Sequence, residues 1–359
     1  MPSFALRERS PSSPSESKKR RRTMRTQCWT EVYSGNDALI NADLDEAKRQ
    51  VKDVFIESGV LAEHMVANPS CLENLIDKIQ SGYKLTPYHD FIHATHVFLN
   101  TYVLLNHSTA NWPRVEKAAI LFTALIHDYE HEGVPNAQLV KEGHHLASKY
   151  NNISVAENNS LEKGLTILGE DGTNIFPDFS VSEKFIFDDF CKDIILATDI
   201  ADSTRVKRIY SSIEEALKNN SNPTLPEEFV LDTQEGIPSI DFSVQNNRKL
   251  ALCMFMKLSD VGAPLQSIAT GGAWVERFFN EQKVAIQNGR GIEVSKEDFV
   301  SGQNKFYQFY IDHLVELTDS MNILNTVCIN EIKGDFAGVR QFWDTEGLQL
   351  YEAWNSKWE

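Results

Sequence analysis

From Asn41 to the C-terminus the apolar residues recur at intervals of three and four, and no stretch sustains the two-residue alternation of a half-buried strand. That pattern commits the chain to helices packed on helices. Asn41 or Asp43 can cap a first helix carrying Leu44, Ala47, Val51, Val54 and Phe55 on one stripe and stopping near Gly59. Pro113 opens another, through Val115, Ala118, Ala119, Phe122 and Ile126 to His127. Ser154 and Glu157 stand at capping-box spacing ahead of a helix that runs to about Leu168. Segments 182–199, 203–217, 245–260, 274–287 and 303–325 read the same way, and 169–180 and 219–243 are loops rich in Pro, Gly, Asp and Asn. No internal repeat is visible.

Two classes of protein are excluded early. The longest strongly apolar run, 118–126, is nine residues, far short of the roughly 18 that span a bilayer. The first residues, MPSFALRERSPSSP, lack the apolar core of a secretory signal, so a soluble cytoplasmic protein without a membrane span is expected. The five cysteines are odd in number and form no CxxC pair, which argues against a disulfide framework and against a thiolate zinc site.

Charge is unevenly spread. The chain carries −16 overall, but residues 1–27 hold eight Lys or Arg against Glu8 and Glu16, which leaves −22 for the rest. Such a body repels nucleic acid, and it repels an anionic substrate too unless a bound cation reverses the local field. The run from Lys18 to Arg22 would suit nuclear import or a membrane surface; the simpler reading is a solvated, disordered basic tail over 1–30.

Six of the ten histidines fall between residues 89 and 131, five of them in YHDFIHATHVF and ALIHDYEHEGVPN. On a helix His89, His93 and His96 would share one face, as would His127 and His131. A lone histidine on such a face is usually a core or surface residue; five at ligand spacing are not. His127 and Asp128 close the apolar run 118–126, where an unpaired carboxylate is costly and a divalent cation would offset the cost. Mixed His and Asp donors suit zinc, manganese or iron, with magnesium in an all-oxygen position beside it, and one Asp can serve both. Two such ions are one solution for phosphate ester hydrolysis.

These motifs together resemble the catalytic domain of the class I 3′,5′-cyclic nucleotide phosphodiesterases, over roughly residues 40–325. Tyr88-His89 with His93-Ala94 is similar to the family's YHNxxHAxD motif, and His127 through Asn136 to its HDxxHxGxxN motif. LATDI at 196–200 resembles its ATD segment, KLSDV at 257–261 the segment with its last metal-binding Asp, and Gln303 to Phe306 the motif with its purine-recognising Gln and clamping Phe. The resemblance implies an all-α catalytic domain of about sixteen helices over 31–359, with 219–243 an excursion from it. It implies that His93, His127, Asp128 and Asp260 hold the tighter ion, a zinc, and that Asp128 also reaches a magnesium or manganese. His131, Glu157 and Thr198 match positions that hold the second ion's waters. His89 matches the general acid, protonating the leaving O3′ while a metal-bridging hydroxide attacks phosphorus. Gln303 would bond the purine edge, Phe306 and Phe278 would sandwich the ring, and Tyr88 would line the pocket. The implied activity is hydrolysis of cAMP, cGMP or both to the 5′-monophosphate, which ends a cyclic nucleotide signal.

Some positions depart from the pattern. Asp90 stands where most members have Asn, Asn159-Ser160 where many have a His pair, and Ala263 where cAMP-selective animal enzymes tend to have Asn. His96 replaces a common Asp, a form associated with protist and algal members, and a supporting hydrogen bond suits it better than metal binding. The rival readings are a non-catalytic cyclic nucleotide sensor on the same fold and another HD-type nucleotide phosphohydrolase.

Overall fold

The structure, a computed structural model, describes residues 43–220 and 240–358. The basic tail and most of the 219–243 segment lie outside the described residues. Within them the only β-contact is one isolated bridge, Ser108 to Leu324.

Helix α1 (Leu44–Glu57) starts where Asp43 Oδ1 accepts the Glu46 amide at 2.8 Å, which satisfies one of the free N–H groups at its end. Short α2 (Glu63–Ala67) and α3 (Ser70–Gly82) lead to the turn that carries Tyr88 and His89. In α4 (Phe91–His107) every residue from Phe91 to Leu105 is buried, and in α5 (Arg114–Ile126) every one from Val115 onward except Lys117. Helices apolar on all sides belong in the middle of a core. There α4 packs against α1, α5 and α11, while α9 covers α5. Phe122 on α5 is fully buried 5.7 Å from the Phe187 ring on α9, and truncating it to Ala would cost about 3–5 kcal/mol.

Next come α6 (Asn136–Lys141), α7 (His145–Lys149), α8 (Val155–Leu168), α9 (Val181–Leu196), α10 (Ser203–Asn220), α11 (Gln245–Asp260) and α12 (Ile268–Gln287). A 3-10 turn, Ala263–Leu265, separates the last two. Helix α13 is continuous from Lys296–Phe306 through a π turn, Tyr307–Ile311, into Asp312–Ser320. The longest, α14 (Thr326–Asn355), buries Cys328, Ile332, Phe336, Val339, Trp343, Gly347, Tyr351 and Trp354, a stripe at intervals of three and four.

The all-α expectation holds, with fourteen α-helices among the described residues, counting α13 as one through its π turn, rather than about sixteen. Two helices and one cap differ most from the sequence reading. Helix α12 begins at Ile268, six residues before Trp274, because its Gly271-Gly272 pair is no break: a Cβ on Gly271 would sit 2.9 Å from the Ala263 carbonyl, so glycine permits the close crossing. Helix α13 starts at Lys296 behind a Ser295 cap and stops at Ser320 instead of reaching 325. Ser154 and Glu157 form no capping box. Ser154 takes left-handed backbone geometry and gives its hydroxyl to Asp199 at 2.8 Å, whereas the true box is Ser180 with Glu183 at the start of α9. Gly164 lets α8 lie directly on Ile126, bringing Glu157 toward the end of α5. Among the described residues no helix is long and apolar enough to cross a membrane, and Cys71, Cys191 and Cys253 are free thiols.

Candidate metal and catalytic centre

The C-terminal ends of α5 and α11 and the first turn of α4 converge on one point. His93 belongs to that first turn, whose entry Asp90 caps by accepting the His93 amide at 2.9 Å. His127 is the C-cap of α5 and Asp128 follows it, while Asp260 is the last residue of α11. One ligand atom from each of His93, His127, Asp128 and Asp260 lies within 4.8 Å of all the others. His93 Nε2 is 3.3 Å from Asp260 Oδ1 and 3.5 Å from Asp128 Oδ2; His127 Nε2 is 2.9 Å from Asp128 Oδ2 and 3.3 Å from Asp260 Oδ1.

These contacts are better described as donors around a shared centre than as ion pairs. His127 gives its Nδ1 proton to the Ala124 carbonyl at 3.0 Å, which leaves Nε2 to face the carboxylates, and that buried atom makes no hydrogen bond. Two imidazole nitrogens and two carboxylate oxygens are a donor set for a borderline dication. In the bare protein, burial works against a charged His127, but Asp128 and Asp260 outweigh it and hold its pKa well above the usual value. Burial likewise works against a charged Asp128, yet the neighbouring histidines, His127 foremost, keep that carboxyl well below the usual range. No Lys or Arg reaches the four residues among those described.

A second group shares Asp128, with His89 and His131. Neither histidine is helical: His89 lies in the turn before α4 and His131 in the turns after α5, so their approach to the cluster comes from loop geometry, not from the shared helix face expected. Their rings stack at 3.8 Å. His131 Nδ1 accepts the Gly133 amide at 3.1 Å, and its pKa falls to about 4, through burial first and then the neighbouring His89. Glu157 faces this side, its Oε2 accepting from Asn136 at 2.9 Å; burial, then Asp199, pushes its pKa up to about 7. The Thr198 hydroxyl, just past the end of α9, donates to the Ile195 carbonyl at 2.7 Å and keeps its lone pairs free.

Sequence reasoning missed Glu281. It lies on α12, 192 positions from its partner, and is only 4% exposed. One oxygen bonds His89 Nδ1 and the other accepts the Tyr88 and His89 amides at 3.0 Å each. Burial alone would lower the His89 pKa, but Glu281 and then Asp128 outweigh it and raise it to about 9. Nothing local to Glu281 distinguishes it from Glu276 in the same helix. Arg277 was missed as well: it bonds Asp90 and the Pro87 carbonyl, which accounts for a carboxylate at position 90. His96 stands outside the ligand group. It bonds Gln266 and lies 4.7 Å from the Trp274 ring.

Of the residues expected to bind substrate, Tyr88 and Phe278 join the cluster: the Tyr88 ring is 4.5 Å from His93 and 5.6 Å from Phe278. Gln303 and Phe306 are half-buried on α13, and the Gln303 carboxamide has no partner among the described residues. Phe306 stacks on Tyr310 at 5.4 Å and touches neither Phe278 nor the histidines.

A family model described as 3′5′-cyclic nucleotide phosphodiesterase matches residues 88–331. The chain is 28% identical over 242 residues to the cGMP-specific 3′,5′-cGMP phosphodiesterase 3 of Dictyostelium discoideum, a match covering 66% of this chain and 47% of that protein. It is 24% identical over 269 residues to the 3′,5′-cyclic-AMP phosphodiesterase 4C of Mus musculus, covering 73% of this chain and 37% of that one. The chain therefore spans less than half the length of these relatives. The crystal structure of the phosphodiesterase domain of Salpingoeca rosetta rhodopsin phosphodiesterase superposes with a TM-score of 0.73 at 20% identity, over 89% of this chain and 93% of that one, a likeness of fold.

Proposed function

Because the chain belongs to the 3′5′-cyclic nucleotide phosphodiesterase family, we propose that it hydrolyses cAMP, cGMP or both to the 5′-monophosphate at the His and Asp cluster. The observation that carries this reading is the adjacency of a four-donor cation site to His89, an acid held by Glu281. Residues 31–359 would then be one catalytic domain. In the site, His93, His127, Asp128 and Asp260 would hold zinc, and Asp128 would share a magnesium or manganese with water held by His131, Glu157 and Thr198. Two ions so held would supply an activated water and neutralise the phosphoryl oxygens.

The protein's own groups do the rest. Glu281 fixes His89 by its Nδ1, so Nε2 is the atom that presents a proton to the leaving O3′. That proton is present below the His89 pKa of about 9, and a cation compensating the charge of Asp128 would lower that value. Phe278, beside Tyr88, and Phe306 would enclose the purine, with Gln303 free to bond its edge. No side chain acts as nucleophile, so no covalent intermediate is trapped.

Purified protein incubated with cAMP and with cGMP should release the 5′-nucleotide, and chelator should stop it. His89→Ala should keep its metal and lose about 10²- to 10⁴-fold in kcat. No release with any divalent ion added would overturn the proposal and leave a sensor or a different phosphohydrolase.

A further inference from the structure

Lys257 is the one lysine on a helix of the centre that is sealed from solvent, 1% exposed, one turn before Asp260 on α11. It has no carboxylate within ion-pair distance among the described residues. Burying an ammonium without a counter-charge is costly, and here the cost is offset by three fixed contacts. Its Nζ donates to the carbonyl of Ala197, the C-cap of α9 next to Thr198. It also donates to the Tyr310 hydroxyl at 3.1 Å and lies 5.6 Å from the centre of that ring. Tyr310 in turn lies parallel to Phe306, 5.4 Å between centres and 11° between planes. Phe306 ends the α-helical part of α13, and Tyr310 sits in the π turn that follows, four residues on.

We propose that Lys257 is a positioning residue for base recognition: it pins Tyr310, which backs one face of Phe306 and leaves the other face set for the purine. This rests on the base-binding role of Phe306 proposed above. A half-buried phenylalanine has several rotamers to choose from, and a stacked partner locked at its hydroxyl removes most of them.

The test separates base binding from ester chemistry. Lys257→Met keeps the stem and removes the charge; Tyr310→Phe keeps the ring and removes the hydroxyl. Kinetics with cAMP and cGMP are compared with those on bis(4-nitrophenyl) phosphate, a diester with no purine. For Lys257→Met the expected result is a KM for the cyclic nucleotide raised about tenfold, kcat within about threefold, and unchanged turnover of the base-free diester. Tyr310→Phe should raise KM about threefold, and it decides the matter if Lys257→Met does not fold. Equal losses on both esters, or an unchanged KM in a variant that melts normally, would overturn the proposal. If the wild type hydrolyses no cyclic nucleotide, the proposed function fails. Crystal structures of the wild type and Lys257→Met then decide separately: a Phe306 ring turned off Tyr310 supports the pinning, and an unmoved ring refutes it.

Discussion

Helices α5 and α11 lie side by side in the same direction, and their two ends are finished differently. Near the start, Glu116 on α5 is 1% exposed and takes two hydrogen bonds of 2.7 Å from Arg248 on α11. Twelve residues farther along each segment, about 18 Å of helix, Asp128 and Asp260 meet with His93 and His127, and no Lys or Arg joins them. The fold evidently can close a buried carboxylate with a cation of its own. At the far end it does not, and two acids and two imidazoles converge there instead. A buried pair that is complete serves structure, whereas a buried group of donors left short of positive charge is a place for a cation from outside.

Substitutions at the two ends should therefore behave differently. The largest effect is expected from Asp260→Ala or Asp128→Ala, which should abolish cyclic nucleotide hydrolysis together with metal content in a chain that still folds; a variant that loses its metal and keeps full turnover would break the contrast. Glu116→Ala should do the reverse. It leaves Arg248 half-buried without its partner and should cost about 3 kcal/mol in denaturant unfolding, with activity per folded molecule within about twofold.

Glu281→Gln tests the border of the cation site. Glu281 helps raise the His89 pKa to about 9, so its loss lowers that value and the donor proton is lost at lower pH. The alkaline limb of the kcat profile should shift to lower pH, with kcat about tenfold down at neutrality. An unmoved limb would remove His89 from the acid role. The smallest effect is expected from Ser154→Ala, which removes the hydrogen bond to Asp199 and should cost about 1 kcal/mol in thermal unfolding, with no change at the metal. An unchanged melting temperature would contradict it.

How much of this could be read in the chain depended on where each partner lies. The helices of the core were legible because their own periodicity fixes them: α11 runs over 245–260 as the pattern predicts. His93, His127, Asp128 and Asp260 were legible through motif order. Their convergence was legible only through the resemblance, since 132 positions separate Asp128 from Asp260 and it is the packing of α4, α5 and α11 that closes the gap. The start of α12 was read too late, at 274; Gly271 lies inside the helix, where close approach to the Ala263 carbonyl calls for glycine. The Ser154 and Glu157 spacing misled because both side chains are engaged elsewhere, by Asp199 and Asn136. Glu281 and Arg277 were out of reach for the same reason: their partners, His89 and Asp90, belong to another segment nearly two hundred residues earlier.

The central claim is that the four converging donors hold a divalent ion on which turnover depends. Dialysis of the purified protein against chelator, followed by stepwise return of zinc with magnesium, measures ion content and 5′-nucleotide release on the same sample. The account predicts one tightly held ion per chain, with activity lost as it leaves and regained as it returns. Undiminished hydrolysis by protein shown to be free of metal would contradict it.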